Sequence, residues 1–333
     1  MTDNAPKKGR TRVRIVFYLL IIVVVAGGIA WLLGPREPVD LTVRFEPSKI
    51  GTDIDRWLAD NEAKFDDIRP NAVKEVVWAW PASRARTPVA IAYLHGFSAA
   101  SAEIRPVPDM VARELGANLF YTRLAGHGRN GEAMAEPTVN DWVQDVAEAV
   151  AVAERIGEKV VLVATSTGGT LATLAATLPE LRDRIDGIVL VSPNFGIRAR
   201  GSSLLTMPFA ESVVPLIVGA ERAFEPRNEE HAGNWTWRYP SVALLPMAAL
   251  VKKAANLPFE QIRTPVLFIY SPDDKVVDQS ITATVAERWG GPVETLLVTA
   301  SDDPSSHVIA GDILSPSNNE TVANAIAAFV RGL

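Results

Sequence analysis

Residues 159 to 176 read KVVLVATSTGGTLATLAA: an apolar, β-branched run ends on one serine, Ser166, before two glycines and a small-residue stretch. A serine hydroxyl attacks a carbonyl only when a base takes its proton and a carboxylate orients that base. A strand that turns sharply into a helix at such a serine follows the pattern G-x-S-x-G, because the two backbones nearly touch and only tiny side chains fit beside them. Here the pattern is Ala164-Thr165-Ser166-Thr167-Gly168, with an alanine at its first position.

Four histidines are available as the base: His95, His127, His231 and His307. On a strand–serine–helix corner the order along the chain is serine, acid, histidine, which leaves His231 and His307. His231 stands in EEHAGNW, inside a segment that breaks the strand–helix rhythm. His307 stands in the polar loop SDDPSSHVIAGD after the last expected strand, and is the favoured base. The acid is expected just past strand 264–272, where YSPDDKVVD supplies Asp273, Asp274 and Asp278. Asp274 is favoured over Asp273, because the apolar pair that follows can anchor its loop to the core. Asp302 and Asp303 lie closer to His307 along the chain, but nearness in a loop does not orient an imidazole. The oxyanion of an attacked carbonyl needs main-chain N–H donors, each contributing about 3–4 kcal/mol to the transition state. The N–H of Thr167, at a helix N-terminus, and that of Phe97, in the loop after His95-Gly96, are the candidates.

The elements that must position these residues follow from the hydrophobic pattern. Strands are expected from about 73 in AVKEVVWAW, at 88–96, from 117, at 159–166, 185–193, 264–272 and 293–300. Helices are expected at 101–116, from Thr138 to about 156, at 168–178, 279–289 and 319–331. Thr138 with Asp141 resembles a capping box. This alternation predicts an α/β fold with a parallel sheet covered on both faces. Thr52 is a candidate N-cap for a helix over 52–65 that packs on the domain, with no functional role read for it. The interval 196–262 has helical patches, no clear strand, and the aromatic residues Phe209, Trp235, Trp237 and Tyr239. It reads as a cap over the site.

The chain has 333 residues and a net charge of −6. Five cations and one acid fall in residues 1–14, so the remainder carries about −10, which excludes nucleic acid as an expected partner. With no cysteine, disulfides and thiolate metal sites are excluded. Residues 15–33 carry no charge; as a helix they would span about 28 Å, close to a bilayer's hydrocarbon core. The preceding cations predict a cytoplasmic tail at 1–14, a single transmembrane helix at 15–33 and a domain on the outer side. The rival is a cleaved signal peptide, with Gly28-Ile29-Ala30 as its cleavage site and a secreted product. Residues 34–72 read as a linker and N-terminal extension. Nothing in the sequence sets the oligomeric state.

The motifs LHGFSAASAE, TRLAGHGR, ATSTGG, SPDDKVV and SSHVIAGD, in that order, resemble the α/β-hydrolase fold family. They are closest in style to its bacterial monoacylglycerol-lipase-like and serine-aminopeptidase-like branch. The resemblance covers about 73–333. It implies a mostly parallel eight-stranded sheet, split into core segments 73–195 and 263–333 by the cap, and a Ser166–His307–Asp274 triad. His95 and His127 match the family's HG and GHG loops, which flank the site; His95, Trp235 and Trp237 are the expected substrate contacts. The expected activity is a membrane-anchored serine hydrolase acting on a small or lipid-like ester, with no metal or organic cofactor. Three alternatives stand beside it. One is an aminopeptidase or amidase that would hold a substrate ammonium with Glu225, Glu229 or Glu230. Another is C–C bond hydrolysis, and the third is a binding module without catalysis.

Overall fold

The computed structural model describes residues 8–333, so the first seven residues of the basic tail lie outside the described residues. Helix α1, Lys8–Leu33, contains the whole apolar segment. Arg36 closes its end by donating to the carbonyls of Trp31, Leu32 and Gly34. A stretch with one 3-10 turn, Pro47–Lys49, leads to α2, Ile54–Glu62, whose N-cap is Asp53, one residue past the expected Thr52. The Asp53 carboxylate accepts the Arg56 N–H, and Ile50, Ile54 and Leu58 are buried in the main core.

Seven strands build the sheet: β1 Glu75–Val77, β2 Thr87–Leu94, β3 Asn118–Tyr121, β4 Gly157–Thr165, β5 Gly187–Val191, β8 Val266–Tyr270 and β9 Val293–Leu297. Their spatial order is β1-β3-β2-β4-β5-β8-β9, with only β1 antiparallel to its neighbour. The expected eighth strand is not found among the described residues. Residues 40–44 precede β1 but do not join the sheet. Asn140 and Gln144 take up their main-chain groups instead: Arg44 N–H donates to Gln144, and Thr42 O accepts from both side chains.

Helices α3 (Val107–Leu115) and α10 (Asn319–Gly332) cover one face. Helices α4 (Val139–Ile156), α5 (Thr167–Ala175), α8 (Leu244–Ala254) and α9 (Gln279–Arg288) contribute to the other. The central strands alternate between the two. In β4, Val160, Leu162 and Ala164 enter one core cluster, and Val161 and Val163 enter the other, as the two-residue period of a strand buried on both faces requires. Thr138 and Asp141 form the expected reciprocal cap of α4. The helix expected over 101–116 is broken: 101–104 is a 3-10 turn, and α3 begins only at Val107, because Pro106 and Pro108 offer no N–H.

The segment between β5 and β8 holds α6 (Ala210–Val218), β6 (Glu221–Ala223), α7 (Glu229–Asn234) and β7 (Arg238–Pro240), followed by α8. β6 and β7 pair as an antiparallel hairpin where no strand was expected; three residues each are too short for a periodic signal. Helix α8 turns Leu250, Val251 and Ala254 into the main core, while its first turns, at Leu244 and Met247, border the cavity.

Candidate active site

The corner between β4 and α5 sets Ser166. Its φ is 51° and its ψ −115°, a strained conformation for a residue with a side chain. Three main-chain bonds hold it there: Ser166 N–H to Val191 O, and Asn194 N–H and Thr170 N–H to Ser166 O. A Cβ on Gly168 would overlap the carbonyl oxygens of Leu94 and His95, so this position admits only glycine. At Ala164 the methyl is buried in the core cluster with Leu94 and Leu190, and the alanine in place of the pattern's first glycine is accommodated.

His307 Nε2 lies 3.0 Å from Ser166 Oγ, and His307 Nδ1 lies 2.7 Å from Asp274 Oδ2. The other Asp274 oxygen accepts the N–H groups of Val276 and Val277. Asp273, the alternative acid, is exposed. All three side chains are buried, with Ser166 only 6% exposed. Burial alone would lower the His307 pKa. The hydrogen bond and charge of Asp274, with help from Glu103 and Asp303, outweigh it and leave the imidazolium favoured beyond its ordinary value. His231, the other candidate base, accepts the Arg227 N–H and packs edge-on against Trp235.

The N–H groups of Phe97 and Thr167 have no main-chain or side-chain acceptor among the described residues. The Phe97 ring is packed edge-on against His127, Trp142 and Tyr239. His95 is fully buried beneath this loop, with Nδ1 donating to Gly96 O and Nε2 accepting the Leu124 N–H. Burial, then the neighbouring His127, drive its pKa well below the ordinary value, so the ring is neutral, as both bonds require. The expected substrate contact at His95 is therefore corrected: the ring braces two loops and does not line the cavity. Trp235 is buried and lines the cavity, whereas Trp237 is 41% exposed and faces a separate surface depression beside Arg69 and Arg129.

Two carboxylates were not singled out as functional. Glu103 is buried and lines the cavity; its Oε2 accepts the Gly96 N–H at 2.7 Å and the Tyr93 hydroxyl at 2.9 Å, and Tyr93 reaches Thr165, next to Ser166. Burial raises its pKa. Nothing in the sequence sets Glu103 apart from the other charges of 101–116, Arg105, Asp109, Arg113 and Glu114. Asp303 does not orient the imidazole ring, but it accepts the N–H groups of Ser305, His307 and Val308 and so shapes the His307 loop. Burial would raise its pKa; those bonds and the Ser305 hydroxyl prevail and lower it.

The site opens into a cavity of about 650 Å³. Leu205, Val218, Phe224, Trp235, Tyr239 and Met247 give it an apolar wall, and Arg200, Arg222, Arg227 and Lys275 add cations. A nucleophile, its base, an orienting acid and two free N–H donors around an apolar cavity can carry out acyl transfer.

Comparison with known proteins supplies the context. The family described as "Serine aminopeptidase, S33" matches residues 86–301. No curated protein matches the chain. Among solved structures, a metagenome-derived lipolytic enzyme of the LipS and LipT pair superposes with a TM-score of 0.65 at 21% identity, covering 80% of this chain and 100% of that one. The monoacylglycerol lipase of Paleococcus ferrophilus gives 0.55 at 16%, covering 77% and 97%. A soluble variant of the monoglyceride lipase of Saccharomyces cerevisiae gives 0.55 at 13%, covering 74% and 86%. At these identities the likeness is one of fold.

Proposed function

The chain belongs to the serine aminopeptidase family of lipase- and esterase-like α/β-hydrolases, and from that premise we propose that it is a membrane-anchored serine hydrolase cleaving a small or lipid-like carboxylic ester. One observation carries the reading: Ser166 Oγ, His307 Nε2 and Nδ1, and Asp274 Oδ2 form one continuous hydrogen-bonded chain. In this mechanism Ser166 Oγ attacks the ester carbonyl while His307 Nε2 takes its proton. Asp274 holds the imidazole in the correct tautomer and stabilises the imidazolium. The N–H groups of Phe97 and Thr167 receive the oxyanion. His307 returns the proton to the leaving alcohol, and the acyl-enzyme on Ser166 is hydrolysed by water activated by the same imidazole.

The apolar cavity wall supports an acyl group as the buried part of the substrate. The charge of the rim weighs against an aminoacyl substrate. Of the three glutamates weighed for holding an ammonium, only Glu225 lines the cavity; with Glu103 and Asp303 it is outnumbered there by Arg200, Arg222, Arg227 and Lys275. The anchor is supported by the span Val13–Leu33, with a mean hydropathy of 2.8 and no part of that stretch buried against the rest of the chain. A signal sequence would meet the same criteria, and size and membrane fractionation of the mature protein separate the two.

The test is a hydrolysis panel of p-nitrophenyl esters and aminoacyl anilides on the full chain in detergent, beside Ser166→Ala and a fluorophosphonate label. Ester turnover that falls at least ~10³-fold in the variant, with labelling lost, is expected. Turnover unchanged by the substitution overturns the proposal; preference for the anilides favours the aminopeptidase.

A further inference from the structure

Helix α6 ends in an apolar run that the rest of the chain leaves uncovered. Leu216 is 85% exposed and Ile217 56%, and Phe209 stands exposed at the other end. Single exposed apolar residues are ordinary on a protein surface. Here they share one nine-residue helix whose other face, Ala210 and Val214, is buried in a small cluster with Leu205, Leu245 and Ala248.

The start of α6 is tied to the point where the chain leaves α1. Phe209 N–H donates to Pro35 O at 2.8 Å. A Cβ on Gly34 would lie 2.5 Å from the Phe209 ring and 2.8 Å from Pro208 Cβ. A nine-residue helix is about 14 Å long, so Leu216 and Ile217 lie within about 15 Å of the end of the apolar span. Val218, the last residue of this helix, and Leu205, packed against its buried face, line the cavity that holds Ser166. Arg200 and Arg222, also on the cavity wall, are exposed and have no acidic side-chain partner among the described residues.

We propose that α6 is seated in the headgroup–acyl boundary of the same bilayer that holds α1, and that the catalytic cavity receives its ester from that lipid surface. An apolar helix face flanked by cations suits an interfacial position, where the apolar side chains enter the acyl region and the guanidinium groups meet lipid phosphates. The seat places the cavity wall next to the bilayer, so a lipid-like ester need not cross water to reach Ser166. The inference rests on the ester-hydrolase reading with α1 as an anchor.

The absence of cysteine allows a direct test. Leu216→Cys and Ile217→Cys are made singly in the full chain, labelled with an environment-sensitive fluorophore and reconstituted into phosphatidylcholine–phosphatidylglycerol vesicles containing doxyl-labelled lipid. Quenching at both positions is expected to be about threefold stronger than at Glu158→Cys, an exposed position at the opposite end of β4. Labels that the lipid quencher leaves bright overturn the proposal. Labels shielded from aqueous iodide as well would assign the face to a protein surface, such as a second copy, and overturn it equally. In parallel, the double substitution Leu216→Asp and Ile217→Asp should lower turnover of a vesicle-embedded monoacylglycerol about tenfold while p-nitrophenyl acetate is turned over as before. An equal loss on both substrates, or none, counts against the seat. A wild-type chain that hydrolyses neither ester refutes the hydrolase reading alone, because lipid quenching still reports where α6 lies.

Discussion

Asp274 reaches His307 Nδ1 with one oxygen, at 2.7 Å, while the N–H groups of Val276 and Val277 hold the other. The carboxylate is thus fixed by its own loop before it meets the ring. Asp274→Asn can retain both main-chain bonds but turns an amide N–H toward the imidazole, which favours the wrong tautomer. The expected loss in kcat is about 10⁴-fold with KM little changed, read from steady-state ester hydrolysis. A loss below tenfold would remove Asp274 from the triad.

In the proposed mechanism, His307 sets the acid limb of activity. Its imidazolium is favoured beyond the ordinary value, mainly because Asp274 outweighs burial. The protonated ring cannot accept the Ser166 proton, so kcat/KM should rise with unit slope as pH increases, with a midpoint above ~6.5. A pH–rate profile with its midpoint below that value contradicts the assigned environment.

In the proposed mechanism, Glu103 is a positioning residue for the loop that carries the Phe97 N–H. Its Oε2 holds the Gly96 N–H, one residue before Phe97. Glu103→Ala should lower kcat about 10–100-fold with little change in KM, because one oxyanion donor loses its aim. Glu103→Gln keeps an acceptor oxygen and should restore most of the rate. Equal losses in both variants would point to the carboxyl's charge instead.

The elbow predicts an asymmetry between two small residues. Gly168→Ala drives a methyl into the carbonyls of Leu94 and His95 and should cost at least ~3 kcal/mol, seen as a large fall in Tm or loss of folded protein. Ala164→Gly removes a buried methyl from a strand and should cost only about 1 kcal/mol. Equal Tm values for the two variants would count against this account of the corner.

Two buried histidines work against acid stability, opposed by the Asp145 and Glu103 carboxyls, which burial raises. Burial pushes His127 down to about 4 and His95 well below its ordinary value. Below pH ~6.5 the unfolded chain takes up these protons while the folded chain refuses them, so stability falls as pH drops toward 4. His307 has the opposite sign: its contribution is complete below ~6.5 and is lost as pH rises through its raised folded value. Thermal unfolding between pH 7 and 4.5 should show the acid loss, and His127→Asn should flatten it. A variant with the wild-type slope would exclude His127 as the cause.

Much of the site was legible because its signals are local. The elbow needs β-branched residues before the serine and glycine after it, and both are adjacent in sequence. Asp274 was separable from Asp273 because Val276 and Val277 follow it, and these two residues supply the N–H groups that hold its carboxylate. The brace formed by His95, the outward turn of Trp237 and the hairpin at 221–223 and 238–240 were not legible, because each depends on what packs opposite. The sheet has seven strands where the resemblance implied eight, and each of the seven coincides with a segment read from the hydrophobic pattern.

From the sequence alone came the alternation of strands and helices, the apolar segment near the N-terminus, and the types and order of the three residues read as the triad, because these depend on neighbours a few positions away. The tertiary structure alone decided that His307 meets Ser166 across 141 residues, that Glu103 holds the Gly96 N–H of the loop after β2, and that α6 shows its apolar face beside the end of α1. Contacts of about 3 Å between distant residues follow from how a twisted sheet stacks its helices, and that packing is a property of the whole chain.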